Sequence, residues 1–328
     1  MKLLRLVPHG TTFKFVDKRF FAFIGSVVAV IASIFLFFSL GLNYGIDFRG
    51  GTVLEIKTEG PADLELIRGV AGGLGLGDVQ IQEFGSPDHV MIRVELQETK
   101  PEEVKAEEAS ETVGAEQAQQ KVVAIIRTAL DEATGGTIEY LRTEVVGPTV
   151  SGELVRTGVM AVVLAVMLML VYIWFRFEWQ FSLGAVVALT HDVILTIGIF
   201  SLTRIEFNLS IIAAILTIVG YSMNDTVVVY DRVRENLRKY KKMPLKDLLD
   251  QSINDTLSRT TMTSVTTLLA LGALYTFGGE AIRGFTFAMM WGVVVGTYSS
   301  IFVAAPMLIL TGVKRDWSSE AAKSVAPA

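Results

Sequence analysis

Asp225 stands in the run Ser222-Met223-Asn224-Asp225-Thr226, inside an apolar block from Phe207 to Tyr230 that holds no other charge. A charge at the centre of a bilayer costs about 2.5–3.5 kcal/mol on insertion scales, so a carboxyl in such a block has a task or a partner. It lies five residues before the end of its block, or about 7 Å inside at 1.5 Å per residue. Burial there favours the protonated form, the property that a reversible proton carrier needs. Ser222, Asn224 and Thr226 beside it offer groups that hydrogen-bond a carboxyl or hold water. The plainer reading is a carboxyl facing a water pocket or reaching out of the membrane.

Arg259 opens another uncharged block and is followed by Thr260, Thr261, Thr263, Ser264, Thr266 and Thr267. It is either a positive anchor at the membrane face or, since consecutive spans are antiparallel, a guanidinium at the depth of Asp225 that biases its charge. The hydroxyls either line a wet path or bond neighbouring helices. His191 and Asp192 fall near the middle of a third block, Trp179 to Thr203. Adjacent residues on a helix point about 100° apart, so this reading has them facing different partners, in helix packing or on a proton path. Asp192 sits near the midplane and Asp225 near one face. That difference in depth argues against a shared-proton aspartyl protease dyad.

The elements that must position these residues are six apolar blocks, each long enough to span the hydrocarbon: Phe20 to Tyr44, Thr157 to Phe175, Trp179 to Thr203, Phe207 to Tyr230, Thr260 to Gly279 and Gly284 to Val313. The first follows Lys2, Arg5, Lys14, Lys18 and Arg19 and has a long apolar run with no small-residue cleavage pattern before Gly41, which reads as an uncleaved anchor. Lys and Arg beside spans stay cytoplasmic. The basic N-terminus (1–19), the loop 231–258 with its seven Lys and Arg up to Lys246, and the tail 314–328 with Lys314 and Arg315 therefore share the cytoplasmic side. A long segment, 43–150, is left outside. It carries 9 Lys and Arg against 20 Asp and Glu, a net charge of −11, which argues against a nucleic-acid partner. The chain has no cysteine, so no disulfide braces this segment.

Period-two alternation predicts strands over 51–58, 78–84, 89–96 and 137–146, with helices over 62–70 and 116–133. The order strand, helix, strand, strand, helix, strand fits a small ferredoxin-like α+β domain with both helices on one face. Residues 97–116 hold seven Glu and almost no large apolar side chain, and read as a disordered insertion without assigned function. The glycines of 72–77 follow a helix and lack a GK[ST] ending, so they do not form a phosphate loop. The expected architecture is a polytopic α-helical membrane protein: one span over 20–42, the domain at 43–150, and the other five spans over 155–313. In the sixth span Gly284, Ala288, Gly292, Gly296, Ser300 and Ala304 place small residues at every fourth position, a stripe that admits another helix closely, in the same chain or a partner.

Four motifs are similar to the SecF family of protein-export subunits: GLNYGIDFRGG (41–51), VVGPTVSGEL (145–154), HDV (191–193) and IVGYSMNDTVVVYDRVREN (218–236). That family belongs to the resistance-nodulation-division superfamily, and the resemblance covers nearly the whole chain. It implies a non-enzymatic subunit of the bacterial inner membrane that pairs with SecD, assists the SecY-SecE-SecG channel, and uses the proton motive force to draw unfolded polypeptide outward. It implies no cofactor or metal, with a proton as coupling ion and sodium left open. It makes Asp225 the proton-carrying carboxylate and Arg259 its basic partner. The insertion at 97–116 exceeds the family's usual domain. The alternatives are a proton-coupled small-molecule efflux transporter and, more remotely, the intramembrane aspartyl protease.

Overall fold

The computed structural model describes residues 11–77, 79–94 and 108–313; the expectations for the basic N-terminus to residue 10, for 95–107 and for 314–328 lie outside these. A short 3₁₀ turn, Val16–Lys18, leads into helix α1 (Arg19–Leu40), and the chain then turns through α2 (Ile46–Arg49) into a four-stranded sheet. Gly50 and Gly51 make that turn at φ 73° and 120°, a backbone region where a Cβ is strained.

The sheet domain is β1 (Gly51–Lys57), α3 (Leu64–Gly72), β2 (Val79–Phe84), β3 (Ser86–Val94), α4 (Glu108–Thr134) and β4 (Glu139–Val146). Its strands pair antiparallel in the order β2-β3-β1-β4, the arrangement of a split βαβ unit. Alternation along β1 and β3 sends Leu54, Ile56, Val90, Ile92 and Val94 into a core with Ile67 of α3 and Ile126 and Leu130 of α4. The Asp63 carboxylate caps α3 by accepting from the Glu65 and Leu66 amides. One expectation is corrected. Residues 108–116, read as disordered, form the first turns of α4, and their Ala and Glu have high helix propensity.

The membrane part comprises α5 (Pro148–Arg176), α6 (Trp179–Thr203), α7 (Leu209–Lys239), α8 (Leu245–Phe277), α9 (Glu280–Ser299), a π-helical turn (Ser300–Ala304) and α10 (Ala305–Leu310). Among the described residues five helices are long and apolar enough to cross a membrane, not six: Val16–Leu40, Val150–Arg176, Trp179–Thr203, Leu209–Lys239 and Ala281–Leu310. The expected span Thr260 to Gly279 lies mainly on α8, where six hydroxyl residues over two turns dilute its apolar character. It still packs as a bundle helix: Ser252 meets Asn236, Thr260 meets Asp225 and Ser264 meets Tyr221, so α8 runs antiparallel to α7.

The small-residue stripe is an internal seam. A Cβ on Gly292 would overlap the Ile218 side chain, one on Gly296 would stand 3.0 Å from the Ser222 Cβ, and one on Gly284 would touch Ile211. Helix α9 therefore lies parallel to α7 with backbones close. The chain's polar ends are tied by ion pairs: Arg176 to Asp231 at 3.0 Å, and Arg232 to Glu235 at 2.7 Å and Asp255 at 3.1 Å.

Sheet domain and helices meet at the turn between α6 and α7. Phe207 exchanges backbone hydrogen bonds with Asn43 and Gly45, Asp47 accepts from the Leu209 amide at 2.9 Å, and Arg204 donates to the Leu40 and Gly41 carbonyls. Beside them the almost fully buried Arg93 of β3 pairs with Glu206 at 2.6 Å. Burial pushes the Glu206 carboxyl above its ordinary range, and the Arg93 charge opposes that rise.

Gly292→Val is expected to destabilise the purified chain in detergent by about 1–3 kcal/mol, read as a lower unfolding temperature, and Ile218→Ala in the same chain to restore part of the loss. Arg93→Ala strands a buried carboxylate and is expected to cost on the order of 3 kcal/mol at neutral pH. Because Glu206 titrates above its unfolded value, that cost is borne by the ionised acid and shrinks as pH falls through its folded midpoint, which unfolding measured across pH checks.

Candidate functional site

Asp225, Asp192 and His191 come together at one place, where the π turn interrupts the last long helix. Pro306 has no amide hydrogen to give to Phe302, and the Ala305 amide instead donates to Ser300, one residue further back than α-helical geometry allows. The turn begins at a serine pair. Ser300 donates to Asp225 Oδ2 at 2.5 Å, and its neighbour Ser299 donates to Asp192 Oδ2 at 2.8 Å.

Asp225 is half-buried on α7 and also accepts from Thr260 of α8 at 2.7 Å through its other oxygen. Hydroxyls of two helices thus grip one carboxylate, and each can equally accept a proton from the neutral acid. The hydroxyl lining continues along α8 and α9: Ser264 lies 2.7 Å from Thr297 and 3.4 Å from the Tyr221 hydroxyl. Arg259 is exposed and, among the described residues, makes no ion pair within reach of Asp225; its charge acts on the carboxylate only through space. Thr226 is buried, and Asn224 is exposed. Ser222 turns from its expected neighbour and donates to Asp192 at 2.5 Å.

Asp192 is fully buried on α6, its Oδ1 lying 2.8 Å from His191 Nδ1. His191 and Asp192 face different partners, as helix geometry expects, His191 stacking on the Tyr298 ring and Asp192 taking the Ser299 and Ser222 hydroxyls; the bond between the two themselves is not among those expectations. Asp192 and Asp225 lie nearer each other than the expected difference in depth suggests, since Ser222, one turn before Asp225, reaches Asp192. The carboxylates hold separate serines and share no hydrogen bond.

Of the small-residue stripe, Ala288, Ala304 and the glycines serve close packing, whereas Ser300 carries a polar contact as well. The Ala304 carbonyl accepts from the buried Tyr230 hydroxyl at 3.0 Å. Ser299 and Tyr298 went unread in the sequence. The signal for them was a serine pair followed by Pro306 in an otherwise apolar span.

A family model described as "Protein export membrane protein SecD/SecF, C-terminal" matches residues 125–314, and one described as "SecD/SecF GG Motif" matches residues 35–62, the turn of Gly50 and Gly51. The protein translocase subunit SecF of Rhodobacter capsulatus is 47% identical over 322 residues, covering 95% of this chain and 93% of that one. That of Rickettsia akari is 43% identical over 307 residues, covering 94% of each. Among solved structures, SecDF from Thermus thermophilus, described as a translocon-associated membrane protein, aligns with a TM-score of 0.77 at 32% identity; the alignment covers 92% of this chain and 39% of that one. SecDF in a super-membrane-facing form aligns with a TM-score of 0.66 at 33% identity, covering 98% and 41%.

Proposed function

The chain belongs to the SecD/SecF family of protein-export membrane proteins, and from that membership we propose that it is an auxiliary, multi-pass subunit of Sec-dependent export in which a proton moving through Asp225 powers late translocation. The membrane is the bacterial inner membrane, with both termini cytoplasmic and the sheet domain in the periplasm; the basic loop 231–258 supports this orientation. SecD is its partner, which the span of this chain over about two-fifths of the solved SecDF chains supports. The SecY-SecE-SecG channel and the emerging unfolded polypeptide complete the assembly.

The observation that carries the reading is the Asp225 carboxylate held by Ser300 and Thr260 and, among the described residues, by no ion pair. A permanently paired carboxylate would stay ionised, whereas hydroxyls stabilise both charge states and let the proton come and go. Arg259 stands off in this conformation. Its role is to close on Asp225 in another state and favour release of the proton. Loading and unloading change the contact between α7, α8 and the π turn, a two-state element biased by one charge. The direct junction at Phe207, Asp47 and Arg93 carries that change to the sheet domain. No enzymatic step is proposed: the two aspartates do not share a proton as a hydrolytic dyad requires.

Replacing Asp225 with Asn keeps the shape and removes the charge. In a variant that still inserts and binds SecD, export stimulated by the proton motive force is expected to fall to the level of cells lacking this chain, measured as accumulated precursor. Export at the wild-type rate would refute the reading.

A further inference from the structure

The Asp225 site leaves a second buried acid without a task. Asp192 has no solvent exposure, and its oxygens are occupied by Ser222 and Ser299 at Oδ2 and by His191 at Oδ1. A purely structural His–Asp pair satisfies both ring nitrogens. Here His191 Nε2 is buried with no hydrogen-bond partner. Two proton arrangements fit the same 2.8 Å contact: an ionised Asp192 accepting from Nδ1–H, or a neutral acid donating to Nδ1 with the ring proton moved to Nε2. The pair is built to hold a proton in more than one way.

We propose that Asp192, with His191, is a second proton-binding site whose charge state is coupled to that of Asp225 through the consecutive hydroxyls of Ser299 and Ser300. This rests on the reading of Asp225 as the proton carrier. Each serine has one hydroxyl proton and two acceptors. Ser299 lies 2.8 Å from Asp192 Oδ2 and 3.1 Å from the Gly296 carbonyl; Ser300 lies 2.5 Å from Asp225 Oδ2 and 3.0 Å from the Thr297 carbonyl. While a carboxylate is ionised, its serine donates to it. When the proton enters at the Oδ2 oxygen that the serine contacts, the new O–H donates to the serine oxygen and the serine swings its own proton to the backbone carbonyl; a proton on Asp192 Oδ1 goes to His191 Nδ1 instead and leaves Ser299 donating. One proton enters and one hydroxyl rotates.

The two switches adjoin at the start of the π turn, so a change at one alters the backbone that holds the other. Ser222, three residues before Asp225 on α7, gives a second mechanical link to Asp192. Two carboxylates about one helical turn apart repel when both are ionised, so the charge of one bears on the other. The ionisable groups around Asp192 are His191 on α6 and Tyr298 of α9 stacked on it, with Asp225 one turn beyond Ser222 on α7; Arg259 of α8 is exposed and acts on Asp225 only through space. Helix α1 presents Ser26, whose hydroxyl lies 3.0 Å from that of Tyr298.

Infrared absorption of buried carboxyls, followed across pH on the purified full-length protein in lipid bilayers, separates the outcomes. The wild type is expected to show two steps. Asp192→Asn removes one and moves the midpoint of the other by about one pH unit toward acid, because the opposing charge is gone; Asp225→Asn likewise leaves one. Ser299→Ala keeps both acids and moves the step of Asp192, which covers the case in which Asp192→Asn does not fold. Loss of a step in Asp225→Asn with none lost in Asp192→Asn, or no shift in Ser299→Ala, overturns this proposal alone. No step lost in Asp225→Asn would instead remove the proton-carrier reading beneath it.

Discussion

A carboxylate within a bilayer must find its hydrogen-bond donors in the protein itself. Here both intramembrane aspartates find them in two adjacent serines of one helix. Consecutive residues of a regular α-helix diverge by about 100°. That divergence lets the pair serve acids on two different helices, and the π turn, which spares the missing amide of Pro306, begins at the second serine. Most of the bundle follows from that arrangement. Helix α9 must lie close along α7, which the glycines at 292 and 296 permit, and α8 must bring Thr260 to the remaining oxygen of Asp225.

The choice of hydroxyls over fixed cations decides what the site can do. A buried arginine against Asp225 would hold it ionised, while an apolar cage would hold it neutral. Serine and threonine can donate to the ionised form and accept from the neutral one, which is what the proposed proton carrier requires. Arg259 standing off in this conformation fits such a cycle, since its approach is the kind of change that expels the proton. The sheet domain is hydrogen-bonded to the membrane helices at the turn between α6 and α7. A rearrangement in the bundle therefore has a direct backbone route outward.

Much of this was legible in the sequence because the signals were local. Strand alternation in 51–57 and 79–94 and the charge-free blocks gave the sheet and the long helices, and Asp225 announced itself as the lone charge in its block. What the sequence concealed was relational. Nothing in the spacing of His191 and Asp192 says that they bond each other, and nothing in the blocks says that Ser222, beside Asp225, reaches Asp192 on another helix. The threonines of α8 were visible, but not that they leave it outside the five helices, among the described residues, long and apolar enough to cross a membrane. Ser300 was read as a packing residue because the stripe of small residues explained it fully until Asp225 was seen across the seam.

The central claim is that a proton crosses the membrane by way of Asp225. Reconstituting the chain with its SecD partner in liposomes holding a pH-sensitive dye, then acidifying the outside, measures that directly. The account expects an inward proton flux that disappears in Asp225→Asn and persists in a variant changed only at the exposed Asn224. A flux of equal size in Asp225→Asn would contradict it.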